Sequence, residues 1–326
     1  MENKQNTPVL EVDGLSVSFR MYDTADRAFQ QKNLQVITDL SMCVHAGEVL
    51  AVAGSSGSGK SLLASAILGI LPDNAVAEGS MRYQGQELTP ELQRKLRGTE
   101  IALVPQSVDF LDPLMRVGAQ TKGNRRAHIF RRLGLPEETV RCYPFQLSGG
   151  MARRVLVSTA LITDARLIIA DEPTPGMSLD QALEALRSFR EIADAGKAVI
   201  LITHDIDLAF AFADRIAVFY AGMTVETARA EDFRAGAEAL RHPYSKALWR
   251  ALPQNGFEPI AGFQPYADNL PEGCPFAPRC SSRSPRCERE LPPVRALRGG
   301  EVRCFYAHGR PEETCQYTLT DARRGE

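Results

Sequence analysis

No apolar run in the 326 residues reaches the ~18–20 that would cross a bilayer. Any work at a membrane therefore needs spans from other chains. The first residues, MENKQNTPVLEV, lack the apolar core of a signal peptide, so the chain is expected to stay in the cytoplasm. An excess of one charge is missing too. Lys and Arg number 38 against 40 Asp and Glu, a formal net charge of −2. A general nucleic-acid binder needs a basic face, and this balance argues against one. No internal repeat is visible.

What is present is alternation. VLEVDGLSVSF (residues 9–19) reads as a half-exposed strand, and polar residues 20–35 as a loop. ITDLSMCVHAGEVLAVAG gives strand, turn and buried strand, and SLLASAILGIL a helix stopped by Pro72. Residues 78–100 read as short strands around a Gly85 turn, IALVPQ as a buried strand, and HIFRRLGL as a helix. SGGMARRVLVSTALIT opens a long helix. ARLIIADEP is a strand, followed by a helix from Leu179 to Ala195. KAVILITHD is a strand, DLAFAFADR a helix and IAVFYAGMTVE a hairpin. Buried strands alternating with helices predict a parallel sheet covered on both faces. After about Leu252, prolines, cysteines and arginines dominate with little periodicity, which places a boundary near Pro253.

GSSGSGKS (residues 54–61) fits G-x-x-x-x-G-K-[ST] between a predicted strand and a predicted helix, the context that the pattern requires. A triphosphate needs many donors close together, and backbone N–H groups supply them where glycines let the chain curl. The helix N-terminus adds its positive dipole end. Gly54, Ser55, Ser56, Gly57, Ser58, Gly59, Lys60, Ser61 and Leu62 form the candidate ATP cradle. Lys60 suits the β- and γ-phosphates, and the Ser61 hydroxyl suits Mg²⁺. A P-loop alone leaves kinases, GTPases and motor ATPases open. LIIADE (residues 167–172) narrows the field by ending an apolar strand on Asp171, a candidate Mg²⁺ ligand, and Glu172, placed to polarise an attacking water.

LSGGM (147–151), together with these two motifs and ITHD (202–205), resembles the nucleotide-binding subunits of ABC transporters over roughly residues 8–255. The resemblance implies a P-loop NTPase fold: a RecA-like core sheet, an antiparallel β subdomain and a helical subdomain at about 107–160, within a domain over 1–253. It also implies an active ATPase. Glu172 is then the general base, His204 the switch histidine at the γ-phosphate, and Gln106 the residue that senses Mg²⁺ and the membrane subunit. Ser148, Gly149 and Gly150 are expected to close over ATP held by a second subunit, in a head-to-tail dimer. Phe19, or else Tyr22, is the candidate for stacking on adenine. The stretch after the glutamate, PTPGMSLD, is two residues longer than the family's usual form, and Asp180 is the candidate for its aspartate. The segment between Gln106 and LSGG is shorter than usual.

HPYSKALWRALP (242–253) followed by GCPFAPRC (273–280) is similar to the ATPase subunits of peptide and nickel importers, with residues 254–326 as their loop-rich C-terminal extension. The implied partners are two membrane-spanning permease subunits, a second ATPase subunit (related or identical) and an external solute-binding protein. Nucleic acid is not among them. The implied location is peripheral, on the cytoplasmic face of the inner membrane. A soluble ABC-type ATPase without a membrane partner is the alternative, though such proteins usually carry two cassettes or a long coiled-coil insertion. Five of the seven cysteines crowd this tail. Cys274, Cys280, Cys287 and Cys304, with five, six and sixteen residues between them, fit neither a C-x-x-C zinc knuckle nor a ferredoxin run. They read as ligands of zinc, as ligands of the [4Fe–4S] cluster to which the resemblance leans, or as reduced thiols in a packed tail. Cys315 is surplus.

Overall fold

Two kinds of strand pattern build two kinds of sheet. The computed structural model describes residues 7–22, 31–55 and 57–307. Ser56 and Cys315 lie outside the described residues, as does the side chain of Tyr22. The alternating N-terminal segments form β1 (Leu10–Tyr22) and β2 (Gln31–Val44), so the strands run well into the stretch read as a loop. The continuous apolar run Val49–Gly54 forms β3, buried at every position, and Lys60–Leu68 forms α1. Helix α1 ends before Pro72 because Gly69 turns left-handed at φ 63°. Then come β4 (Ala75–Tyr83), β5 (Gln86–Glu87) and a helix where only strands were expected, α2 (Pro90–Leu96). Thr89 caps α2 through Oγ1, which accepts from Leu92 N, and Pro90 occupies its first turn.

The chain continues through β6 (Ile101–Val104), α3 (Val117–Gln120), α4 (Arg126–Arg132) and α5 (Gly149–Leu161). After these come β7 (Leu167–Asp171), α6 (Leu179–Asp194), β8 (Ala198–Thr203) and α7 (Ile206–Phe212). A hairpin of β9 (Arg215–Tyr220) and β10 (Met223–Arg229) leads to α8 (Ala230–Ala235) and α9 (Pro243–Arg250). The tail adds α10 (Pro285–Arg289), β11 (Val294–Leu297) and β12 (Gly300–Arg303).

Among the described residues one sheet is antiparallel, in the order β2-β1-β4-β5. The other runs β11-β12-β10-β9-β3-β8-β7-β6, and its core strands β9, β3, β8, β7 and β6 are parallel. The period of two splits each core strand between two apolar clusters. Val49, Ala51 and Ala53 of β3 join Val199 and Leu201 of β8 on the face covered by α5 and α6. Leu50 and Val52 join Ile200 and Ile202 on the other face, against α1 and the antiparallel sheet. The tail is part of the core sheet, since β12 pairs antiparallel with β10. No described helix is long and apolar enough to cross a membrane.

Candidate functional site

Because β3, β6, β7 and β8 are parallel, their C-terminal ends open on one edge, where open α/β sheets bind ligands. The motifs all arrive there. Strand β3 ends in the P-loop, β6 in Pro105–Gln106, β7 in Asp171 and Glu172, and β8 in His204. Register fixes their relative heights: Asp171 pairs with Ile202, and Ala53 with Thr203.

The P-loop glycines have different reasons. Gly57 and Gly59 take φ of 75° and 92°, a region costly for other residues. Gly54 has no such φ; a Cβ there would lie 2.3 Å from the Phe219 carbonyl oxygen on β9. Gly59 is the N-cap of α1, and Lys60 begins the helix. Lys60 Nζ is buried and donates to the Gly54 and Ser55 carbonyl oxygens, at 2.8 Å each, and to Ser58 Oγ at 3.5 Å. Burial lowers the Lys60 pKa, and the nearby Glu172 and Asp171 carboxylates oppose that shift. Ser55, Ser58, Ser61 and Leu62 complete the described cradle.

Asp171 is buried, and burial raises its pKa against a hydrogen bond from Ser61. Its Oδ1 has no hydrogen-bond partner. An orphaned carboxylate oxygen next to a helix-start hydroxyl is a hard-oxygen donor set that fits Mg²⁺. Glu172, also buried, sits at φ 48°, a left-handed conformation uncommon for residues other than glycine. Its N–H donates 2.9 Å to the Ile202 carbonyl, which ties the strained residue to β8. His204 Nδ1 lies 2.8 Å from Glu172 Oε2 but outside hydrogen-bond geometry, so that buried oxygen, like Asp171 Oδ1, has no hydrogen-bond partner. The structure thus brings Lys60, Ser61, Asp171, Glu172 and His204 together.

Six expected residues stand apart. The Gln106 side chain is exposed, and its carbonyl accepts 2.6 Å from Arg153 Nη2. Ser148 caps α5 through Oγ, which accepts from Met151 N at 3.3 Å, and both Ser148 and Gly149 are solvent-exposed. A Cβ on Gly150 would lie 3.0 Å from the Gly176 carbonyl of the longer loop. Asp180 is exposed in the first turn of α6. Phe19 is half-buried on the core of the antiparallel sheet. Sequence reading passed over Arg153, a buried cation on α5 that also bonds the Pro105 carbonyl at 3.2 Å. The signal was a pair of arginines, Arg153 and Arg154, set among the apolar residues of a helical run.

In the tail, Cys274, Cys280, Cys287 and Cys304 line one cavity of about 380 Å³, with Arg241, Lys246, Arg250 and Arg298 around it. Burial and the neighbouring thiols push the Cys274 pKa up to about 11, and burial raises Cys280 and Cys304. Among the described residues no three His, Cys, Asp or Glu side chains converge as ligands of one metal ion.

The comparisons agree with this geometry. Residues 37–175 match the ABC transporter family, and residues 225–287 the oligopeptide/dipeptide transporter C-terminal region. The oligopeptide transport ATP-binding protein OppD of Salmonella typhimurium is 33% identical over 324 residues, covering 91% of this chain and 93% of that protein. The dipeptide transport ATP-binding protein DppD of Escherichia coli K12 is 34% identical over 344 residues, covering 97% and 98%. A solved post-hydrolysis dimer of the ATP-binding cassette MJ0796, bound to ADP and Pi, matches with TM-score 0.59 and 22% identity over 68% of this chain and 98% of that one, a likeness of fold. The chain therefore belongs to the ATP-binding subunits of ABC transporters, in the group that carries the oligopeptide/dipeptide C-terminal region.

Proposed function

We propose that this chain hydrolyses ATP to drive the import of peptides through two partner permease subunits, at the cytoplasmic face of the inner membrane. The observation that carries the reading is the meeting of Lys60, Ser61, Asp171, Glu172 and His204 at one edge of the parallel sheet. Lys60 exchanges its loop carbonyls for the β- and γ-phosphate oxygens. Ser61 and Asp171 hold Mg²⁺, which neutralises charge on the phosphates when bound. Glu172 accepts the proton of the attacking water, and its ring contact lets His204 orient that carboxylate and report on the γ-phosphate. Gln106, at the end of β6, senses the metal and the permease.

Ser148, Gly149 and Gly150 complete the ATP site of a second ATPase subunit, with Asp180 near that interface. The peptide class is supported by the names of the two relatives above, and an external solute-binding protein would deliver the cargo. The four tail thiols are proposed to hold a [4Fe–4S] cluster. One zinc needs four sulfurs about 2.3 Å from a single point, whereas thiols spread around a roomy cavity suit a larger cluster. Of the cations beside it, Lys246 and Arg250 are paired with Glu238, which also lines the cavity, and Arg241 with Glu226 and Asp232.

Glu172→Gln tests the chemistry. The variant should keep ATP affinity and lose hydrolysis by about 10²-fold or more, the worth of a general base. Hydrolysis at the unaltered rate would remove Glu172 from that role.

A further inference from the structure

The P-loop is held from outside the ATPase core. Ser55 Oγ donates a hydrogen bond to Gln264 Oε1 of the tail, across 209 residues of sequence. The carbonyl of Ser55 accepts from Lys60 Nζ at 2.8 Å. One residue therefore sets the Lys60 ammonium on one side and reaches the C-terminal extension on the other. The other described serines of the loop turn inward: Ser58 Oγ accepts from Lys60 Nζ, and Ser61 hydrogen-bonds Asp171.

The tail serves as an anchor because it is itself fixed. Arg279 donates from Nε to the Ala261 carbonyl at 2.8 Å and from Nη2 to the Ile260 carbonyl at 3.0 Å. Its Nη1 donates to Tyr220 Oη of β9 at 3.2 Å, so the segment leading to Gln264 hangs on the core sheet. Beyond Gln264, a short 3₁₀ segment, Ala267–Asn269, packs against β2. Gln264 lies between these two attachments. A second line from Ser55 ends at the same place. Burial raises the pKa of the Tyr244 phenol on α9, and hydrogen bonding with Ser55 opposes that shift. The Tyr244 ring packs on Tyr220, with centroids 4.5 Å apart.

A loop that binds phosphate through backbone N–H groups must hold those groups in place. Gly57 and Gly59 work against that, since glycine loses more conformational freedom on ordering than any other residue. Ordering a flexible loop on binding costs affinity, and a contact that fixes it beforehand removes part of that cost. Ser55 stands between the rigid strand β3 and the first of these two glycines, where one restraint acts on the whole loop.

We propose that the C-terminal extension preorganises the P-loop, with Gln264 as the positioning residue that fixes Ser55 and so the loop that receives the phosphates. The proposal rests on the ATPase reading above and adds a residue from outside its motifs.

The test is equilibrium binding of ATP and of inorganic tripolyphosphate, each with Mg²⁺, to the full chain. Gln264→Met keeps the length of the side chain and removes the acceptor. It should weaken both ligands alike, about threefold to tenfold, the worth of one hydrogen bond. Ser55→Ala should weaken both at least as much, and adding Gln264→Met to it should cost nothing further, because the shared contact is already gone. Ser55→Thr keeps the hydroxyl and should bind both ligands as the unaltered protein does. Undiminished affinity in Gln264→Met overturns the proposal. So do losses that add in the double variant, since Gln264 then acts through something other than Ser55. A loss confined to ATP overturns it too, because it moves Gln264 from the phosphate loop to the nucleoside. If the unaltered chain binds neither ligand, the ATPase reading falls and this proposal with it.

Discussion

His242 shows how one buried residue can couple stability to pH. Its Nδ1 accepts 3.0 Å from Tyr244 N and caps α9, and its own N–H donates 2.7 Å to Glu226 Oε2 on β10. Full burial lowers its pKa from 6.5 to about 3. The folded protein therefore keeps a neutral imidazole over a range where the unfolded chain takes up a proton. In that window the unfolded state binds more protons, so stability rises with pH. The contribution is complete above about pH 6.5 and is lost as pH falls from there toward 3. Each unit in the window costs up to about 1.4 kcal/mol. Urea melts between pH 7 and 5 should show this fall. His242→Asn replaces the capping Nδ1 with an amide oxygen that does not titrate and should flatten the slope. An unchanged slope in that variant would assign the pH dependence to other groups.

At the scale of elements, legibility followed locality. The fully buried strands β3, β7 and β8 were readable because both faces are covered and their residues are apolar up to the last position, where Asp171 ends β7 and Thr203 ends β8. The P-loop, Asp171, Glu172 and His204 were readable because each motif ends a strand. Helix α2 was not, since its seven residues bury little beyond Gln93, whose Nε2 donates to the Ala66 and Ile67 carbonyls at the end of α1. The hairpin β11–β12 was hidden for a similar reason: four-residue strands whose stability comes from pairing with β10 carry almost no periodicity. Gln264 and Arg279 act only across long sequence separations, and nothing local announces them. The same tail carries the cysteine cavity, and its chemistry is testable as a unit. Cys274→Ser should remove iron and acid-labile sulfide from protein purified without oxygen. A tail this rich in loops should also lose resistance to protease, because ligand binding contributes folding energy to such elements. Equal metal content in both proteins would leave the thiols as packing.

For the whole molecule, the two halves of the ATP chemistry face different ways. Lys60 and the strand-end carboxylates are buried at the sheet edge, while Ser148 and Gly149 stand exposed at the start of the 13-residue helix α5. An exposed helix N-terminus with a serine cap offers its N–H groups to an anion from outside. In the proposed head-to-tail dimer that anion is the γ-phosphate of ATP on the facing subunit. Mg–ATP should then convert Glu172→Gln from monomer to dimer in sedimentation velocity, because bound ATP persists when hydrolysis is slow. Adding Ser148→Glu sets a carboxylate against the triphosphate, a like-charge contact worth several kcal/mol. The double variant should bind ATP as before, since its own P-loop is untouched, and remain monomeric. A dimer that survives Ser148→Glu would place the interface elsewhere. A variant that loses ATP binding along with the dimer would mean that Ser148 serves the site of its own chain.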